Sequence, residues 1–444
     1  MSGSRRVGPK ATASQPPFPR SEARPSEPPA ARAPAAPRAQ APKGIAFEGD
    51  EGAFAREHNS SAAQRWIING KRLADAAPQR PQLPPLLSGP FADRREVRID
   101  RAYRWRPPGC GAETPGIAVM RNGVFNPAII EDARTGALHL YARARDDQNV
   151  SRIVHLVSTD GGARYQLDAA CPVPLAPELL QGELADWAQG GGCEDARIFE
   201  CRDRAGAPQW RMAFTVYNAE RNVASIGFAS APSPGGPWAP EGLAFPEEVA
   251  AGRWTKSFVA TRLPDGSYVG WGSRDISIPD TREGPQGTRG DGSLFMATSP
   301  NGRTWKVVVD PVALPREGAF DSRLVESAFV TPLGDGRFCL FVNGDGPPEG
   351  YQLGYQIYRP PTLREQVAAK LRGNEKLPLV LSERSSGPCF SHDQSATWET
   401  GPVEKVVFVA GGVLLAPRNG EPGRLRIAYG CNDMVCATAD APLA

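Results

Sequence analysis

The residues whose chemistry stands out in this chain are carboxyl groups set beside Arg, Lys and Asn in short β-rich segments. Glu194 and Asp195 are adjacent in GGCEDARIF, with Arg197 two places on. Glu399 lies in TWETG, Asp433 in YGCNDM, Glu326 in RLVESAF, Asn126 in GVFNPAI and Asn343 in FVNGDG. Arg143 and Arg145 stand in LYARARD, Lys256 in RWTKSF and Arg274 in GWGSRD. Cleaving a glycosidic bond needs a proton for the leaving oxygen and a nucleophile on the other face of the sugar, and carboxyl groups of shifted pKa can serve both needs. Carboxyls crowded into one cleft raise one another's pKa. The four bases Arg143, Arg145, Lys256 and Arg274 could together hold a phosphate or a sugar acid.

Each of these residues also has a plainer reading. Asp195 and Arg197 can be an ion pair at a strand end, Glu399 and Asp433 solvated turn carboxylates, and the bases members of surface ion pairs. Trp187, Trp254 and Trp271 can stack on sugars or simply fill a core. Asp195 is the strongest candidate acid. Its approach, GGGC, lets backbone come close to a ligand, and the strand RIFEC behind it would hold it rigidly.

Composition narrows the classes. Among 444 residues, 51 are basic and 49 acidic, so no global field points to nucleic acid or an anionic membrane. The opening MSGSRRVGPK is not followed by an apolar core, and no stretch approaches the roughly 18 apolar residues of a spanning helix. Cys110, Cys171, Cys193, Cys201, Cys339, Cys389, Cys431 and Cys436 lie far apart without a CxxC pair, and there are 4 histidines. These features predict an unexported cytoplasmic protein with reduced thiols, no metal centre and no organic cofactor.

The elements that must position the candidates fall in the second part of the chain. Residues 1–44 are Pro, Ala, Arg and Ser with few large apolar side chains, which predicts a disordered tail. Residues 45–100 read as an extension with a short helix from Ser60 or Ser61, carrying Trp66, Ile67 and Leu73. From 101 to 444 short β-rich runs alternate with Asp-Gly and Asn-Gly turns at 160, 265, 291, 301, 335 and 419. TLREQVAAKLRG at 362–373 is the best helical candidate. A weak repeat emerges when units starting at Leu138, Trp210, Tyr268, Phe338 and Leu425 are stacked, each with an apolar strand, a polar loop and a second strand. That pattern predicts an all-β, five-bladed β-propeller whose loop ends converge on one pocket; a β-sandwich pair is the competing architecture.

Over roughly residues 118–443 these segments resemble glycoside hydrolase family 130, β-mannoside phosphorylases and some hydrolases on a five-bladed propeller. VFNPAII resembles the family's Phe-Asn-Pro segment and GGCEDARIF its Glu-Asp-Pro-Arg motif. WETGPVEKVVFVAGGVLL and RLRIAYGCNDMVCATA resemble its Glu-containing Val-Val-Phe strand and its closing Tyr-Gly-x-x-Asp signature. The resemblance implies Asp195 as general acid, acting directly or through a substrate hydroxyl. Asn126, Glu194, Glu326, Asn343, Glu399 and Asp433 would then line the sugar site, with Glu399 or Asp433 as base. It implies a small oligosaccharide or glycoside substrate and phosphate as possible co-substrate on Arg143 or Arg145, Arg197, Lys256 and Arg274. Two departures stand out. Ala196 replaces the motif proline, and Asn343 stands where phosphorolytic members show histidine. Inverting phosphorolysis and inverting hydrolysis both fit; a non-catalytic sugar-binding module and a mannosyltransferase are the alternatives.

Overall fold

The computed structural model describes residues 82–444 except 112, 204, 275–291, 317, 347–349, 372–376, 402, 404, 419 and 421. The expected tail, the helix from Ser60, and the Asp291 and Asn419 members of two turn pairs lie outside the described residues. The expected helix at 362–373 is observed over Leu363–Leu371. Among the described residues no helix is long and apolar enough to cross a membrane.

Strands dominate, and nearly all of them pair antiparallel with the next strand in the chain. A first strand, β1 (Ala92–Glu96), is followed by β2 (Val124–Glu131), β3 (Leu138–Arg145) and β4 (Ser151–Ser158), with the two-residue β5 (Gln166–Leu167) on the edge of β4. The next group is β6 (Gly190–Arg202), β7 (Pro208–Asn218), β8 (Val223–Ala231) and β9 (Ala239–Leu243). Then come β10 (Lys256–Arg262), β11 (Tyr268–Ser273), β12 (Leu294–Ser299) and β13 (Lys306–Ala313) as one sheet. Another sheet holds β14 (Leu324–Pro332), β15 (Phe338–Gly346), β16 (Gly350–Arg359) and β17 (Val380–Arg384). The last sheet is β18 (Val407–Leu415), β19 (Arg424–Cys431) and β20 (Val435–Pro442), completed by β1 on β20. Thus a strand from the segment expected to be an extension closes the sheet that ends the chain.

The groups starting at β2 and β6 are joined into one sheet by a single parallel pair, Ser151 with Gly192. Gly192 has φ +95°, and a Cβ there would stand 2.1 Å from the Ser151 carbonyl oxygen. The glycine run expected to admit a ligand therefore admits a neighbouring strand.

The opening strand of each group, β2, β6, β10, β14 and β18, carries one residue more than its partner. Three steps in β2 (Phe125 to Ala128), β6 (Glu194 to Arg197) and β10 (Lys256 to Val259) face two steps opposite. Two steps in β14 (Ser327 to Phe329) and β18 (Val409 to Gly411) face one. These are β-bulges, which bend a strand and turn a side chain out of the alternating pattern. The opening strands contact one another in order, and β18 returns to β2. Together they line a narrow cavity of about 60 Å³ through Ala128, Arg197, Val259, Ala328 and Ala410 among others.

Apolar cores lie between successive groups. Tyr141 and Phe214 belong to the core between the first two, Phe228 and Phe258 to the next, and Trp271 and Leu340 to the one after. Phe341 and Tyr429 join the core between the fourth group and the last, and Leu140 and Ala428 the core that brings the last group back to the first. Every sheet is therefore covered on both faces by its neighbours. Trp271 is fully buried and Trp254 is buried, so both fill the interior. Trp187 lies under the Arg221 guanidinium at 5.4 Å.

The return of the last group to the first is tight at Gly430 of β19, where a Cβ would meet the Asn126 side-chain oxygen at 2.1 Å and its backbone nitrogen at 2.6 Å. The backbone cannot yield as a side chain does, so Gly430→Ala should destabilise by about 1–3 kcal/mol through overpacking. The measurement is the denaturant midpoint; an unchanged value would show that the two strands separate freely.

Candidate active site

The bulges of the first three opening strands place polar residues in left-handed backbone: Asn126 at φ +49°, Asp195 at +47° and Ser257 at +54°. Each occupies the extra position of its strand. Asn and Asp tolerate this region better than other non-glycine residues, whereas Ser257 meets a cost of about 1–3 kcal/mol that its surroundings must offset. Asp433 comes from a different device. Asn432 and Asp433, at φ +45° and +56°, form the two-residue tip of the β19–β20 hairpin, closed by the Met434 amide donating to the Cys431 carbonyl at 3.0 Å.

Asp195 is buried, and its carboxylate accepts a hydrogen bond from Asn126 Nδ2 at 2.9 Å and lies 3.7 Å from Arg143 Nη1. Arg143 Nη2 reaches the Glu194 carboxylate at 2.6 Å, and its Nε donates to Ser151 Oγ at 3.0 Å. One guanidinium from β3 thus bridges both carboxylates of the Glu194-Asp195 pair. Arg143 and Arg145 both lie against the Phe125 ring, at 5.0 and 4.9 Å. Arg145 Nη2 also donates to the Asp433 backbone carbonyl at 3.3 Å. Lys256 pairs with the buried Glu326 at 3.3 Å, and Ser257 Oγ donates to the other oxygen of that carboxylate at 2.9 Å.

The charges sort the three carboxyls nearest one another. Burial alone would raise Asp195, but Arg143, Arg197 and Lys256, with the Asn126 hydrogen bond, outweigh it and hold the carboxyl below its ordinary value. Burial raises Glu194, and the Asp195 charge adds to it against the pull of Arg143. Burial also raises Asp433, reinforced by Asp195 and opposed by Arg143, Arg145 and Lys256. One cluster therefore contains a carboxylate held ionised and two carboxyls biased toward their protonated forms, the separation of neighbouring groups on which acid and base chemistry depends.

Asn126, Arg143, Arg145, Glu194, Asp195, Lys256, Glu326 and Asp433 are thus brought together. Arg197 sits beneath them, fully buried, with Nη1 donating to the backbone carbonyls of Asp195 and Ala196 at 3.0 and 3.2 Å. It pairs with the backbone beside Asp195 rather than capping a strand by a side-chain ion pair. Three expected site residues are engaged elsewhere. Asn343 is fully buried and clamps β18, donating to the Val409 carbonyl at 2.8 Å and accepting from the Val409 amide at 2.9 Å. Arg274 is paired with Asp310 and with Glu248. Glu399 has no exposed surface; its carboxylate accepts from Arg94 Nη1 at 2.6 and 2.9 Å, Tyr429 Oη at 2.7 Å and the Asp393 amide at 2.6 Å. Both oxygens are consumed in holding β1 to the last sheet.

Ser257 was not singled out in the sequence. Its signal was available: FNPA, EDAR and KSFV occupy the same bulged position in β2, β6 and β10, and stacking these opening strands would have set Ser257 beside Asn126 and Asp195.

Solved structures of similar shape identify the architecture. A glycosyl hydrolase from Bacteroides ovatus has a TM-score of 0.57 and 20% identity, covering 82% of this chain and 98% of its own. A structure described with the GH130 family of mannoside phosphorylases, which contains hydrolases targeting β-1,2 mannosidic linkages in Candida mannan, has a TM-score of 0.57 and 20% identity over 81% of this chain and 96% of that one. The fold is GH130-like. β-1,2-Mannobiose phosphorylase from Listeria innocua, solved with β-1,2-mannobiose, has a TM-score of 0.53 and 16% identity over 79% of this chain and 97% of its own. No family model matches the chain, and no curated relative does. The GH130-like likeness is one of backbone path, and the sugars belong to those proteins.

The Glu399 arrangement predicts a structural effect. Arg94→Ala would leave a carboxylate without its cation in the interior, and should cost about 3–5 kcal/mol. Thermal unfolding of the variant checks this; a loss below about 1 kcal/mol, the scale of a surface pair, would contradict the anchoring role.

Proposed function

We propose that this chain is a carbohydrate-active enzyme on a five-bladed β-propeller, cleaving a β-mannoside or related glycoside with inversion, and that Asp195 is its general acid. The observation that carries the reading is the Asp195 carboxyl itself: it stands on a left-handed bulge of an opening strand, fixed by Asn126 and Arg143, among Glu194, Asp433 and Lys256. The GH130-like fold supports the class of chemistry. The ring of opening strands and the cores between successive groups support the blade count.

In this reading phosphate is held by Arg143, Arg145 and Lys256, which approach the same carboxylates from two strands. Those cations, with Arg197, keep Asp195 ionised in the free protein. Phosphate offsets their charge, so Asp195 takes up a proton as the co-substrate arrives. That proton passes to the glycosidic oxygen, directly or through a substrate hydroxyl, as the C–O bond breaks. A phosphate oxygen bonds the anomeric carbon from the opposite face, and the single displacement yields a sugar 1-phosphate of inverted configuration.

A second reading replaces phosphate by water. It is motivated by Asn343, which is committed to Val409 at the position where the resembling phosphorylases show histidine. Asp433 then serves as base, because the Glu399 oxygens are occupied.

Asp195→Asn should lower turnover by about 10²–10⁴-fold while sugar binding by calorimetry persists. Unchanged turnover would sink the acid assignment, and wild-type binding without product would make the protein a sugar-binding module. Incubation with mannosides, with and without phosphate, separates sugar 1-phosphate from free sugar. The pH profile tests the linkage. Activity requires protonated Asp195 and so falls as pH rises through its pKa; saturating phosphate should move that fall to higher pH. An alkaline limb indifferent to phosphate would rule out the proposed charge offset.

A further inference from the structure

The cavity enclosed by the opening strands contains one group that its protein surroundings leave unsatisfied. Arg197 lines it, and the other lining residues are apolar or glycine, including Ile129, Val259, Ala328, Phe329 and Ala410. The Arg197 side chain is 1% exposed. Its Nη1 is used by the Asp195 and Ala196 carbonyls, its guanidinium stands 5.4 Å from the Phe408 ring centre, and Nε and Nη2 have no protein acceptor. Nε and Nη2 form one edge of the guanidinium, two parallel N–H groups in the fork that receives an anion. Arginine stays charged in proteins, and an interior cation with unmet donors costs several kcal/mol unless something accepts from it.

We propose that this cavity is an anion site, with a halide-class monatomic anion seated on the Nε–Nη2 edge of Arg197. The cavity volume of about 60 Å³ admits such an ion and an accompanying water, each needing roughly 10–15 Å³ or somewhat more of this kind of space. It excludes polyol carboxylates such as gluconate. The site is separate from the Arg143, Arg145 and Lys256 group, since Arg197 faces the cavity with the edge that Asp195 does not use. Burial acts on Arg197 to weaken its charge, and Asp195 and Glu326 act to retain it. An anion on the free edge joins that balance, offsetting part of the positive charge that holds Asp195 ionised. This last consequence rests on the proposed role of Asp195; the site itself does not.

The test uses the full chain without sugar, so it fails or succeeds apart from the proposed reaction. Thermal unfolding is compared in sodium chloride, sodium bromide and sodium gluconate at equal ionic strength, which keeps general screening constant. Chloride and bromide should raise the midpoint by about 2 °C or more with saturation, as a ligand of the native state does, and gluconate should not. Crystals grown in bromide should show an anomalous peak beside Arg197 Nε and Nη2. Arg197→Gln should abolish the difference between salts; if that variant does not fold, the wild-type salt series and the anomalous peak still decide. Equal midpoints in the three salts, or water alone beside Arg197 in bromide-grown crystals, would overturn the proposal.

Discussion

The arrangement of the site depends on one backbone constraint, the extra residue in each opening strand. A regular strand sends successive side chains to opposite faces, both of which are covered here by neighbouring sheets. Without a bulge, Asn126, Asp195 and Ser257 would point into apolar cores or stay within the pleat. The added residue frees them, and the left-handed backbone aims them. The bulges of β14 and β18 carry Ala328 and Ala410 instead. The constraint is common to the ring, while the chemistry is loaded onto its first three members and onto the Asp433 hairpin.

Electrostatics then follow from crowding. Arg143 is the shared partner: it bonds Glu194, faces Asp195 and acts on Asp433. Two of these carboxyls are raised and one is lowered because the cations are distributed unevenly. Asp195 has Arg143, Arg197, Lys256 and an Asn126 hydrogen bond acting on it, whereas Glu194 and Asp433 each feel the negative charge of Asp195. The difference among chemically similar groups is thus a matter of neighbours and not of residue type.

Much of this was legible in the sequence. The stacked units from Leu138, Trp210, Tyr268, Phe338 and Leu425 coincide with the hairpins β3–β4, β7–β8, β11–β12, β15–β16 and β19–β20, because tight turns and alternating apolar residues leave a periodic trace. The opening strands left a weaker trace. A bulge breaks the period of two, so VFNPAII, GGCEDARIF and TKSFVAT do not align by alternation, although they carry the polar residues. The fates of Glu399 and Asn343 were illegible for another reason. Each is fixed by long-range partners, Arg94 lying 305 residues from Glu399 and Val409 lying 66 from Asn343, and no local pattern announces such pairs.

Those two residues also explain why a motif can outlast its use in a pocket. Glu399 joins β1 to the closing sheet through Arg94, and Asn343 locks β15 to the backbone of β18. A buried carboxylate or amide with every hydrogen bond satisfied is expensive to remove, since substitution strands its partners in the interior. Selection for stability alone would therefore keep Glu399 and Asn343 in place whatever the pocket binds. Asp195 differs. Its side chain accepts from Asn126 and faces Arg143 on a strained bulge, and nothing in the closure of the ring depends on its charge. A carboxylate held in left-handed backbone beside two raised carboxyls costs stability without joining one sheet to another, and that imbalance is what sets Asp195 apart from the structural carboxylates of this chain.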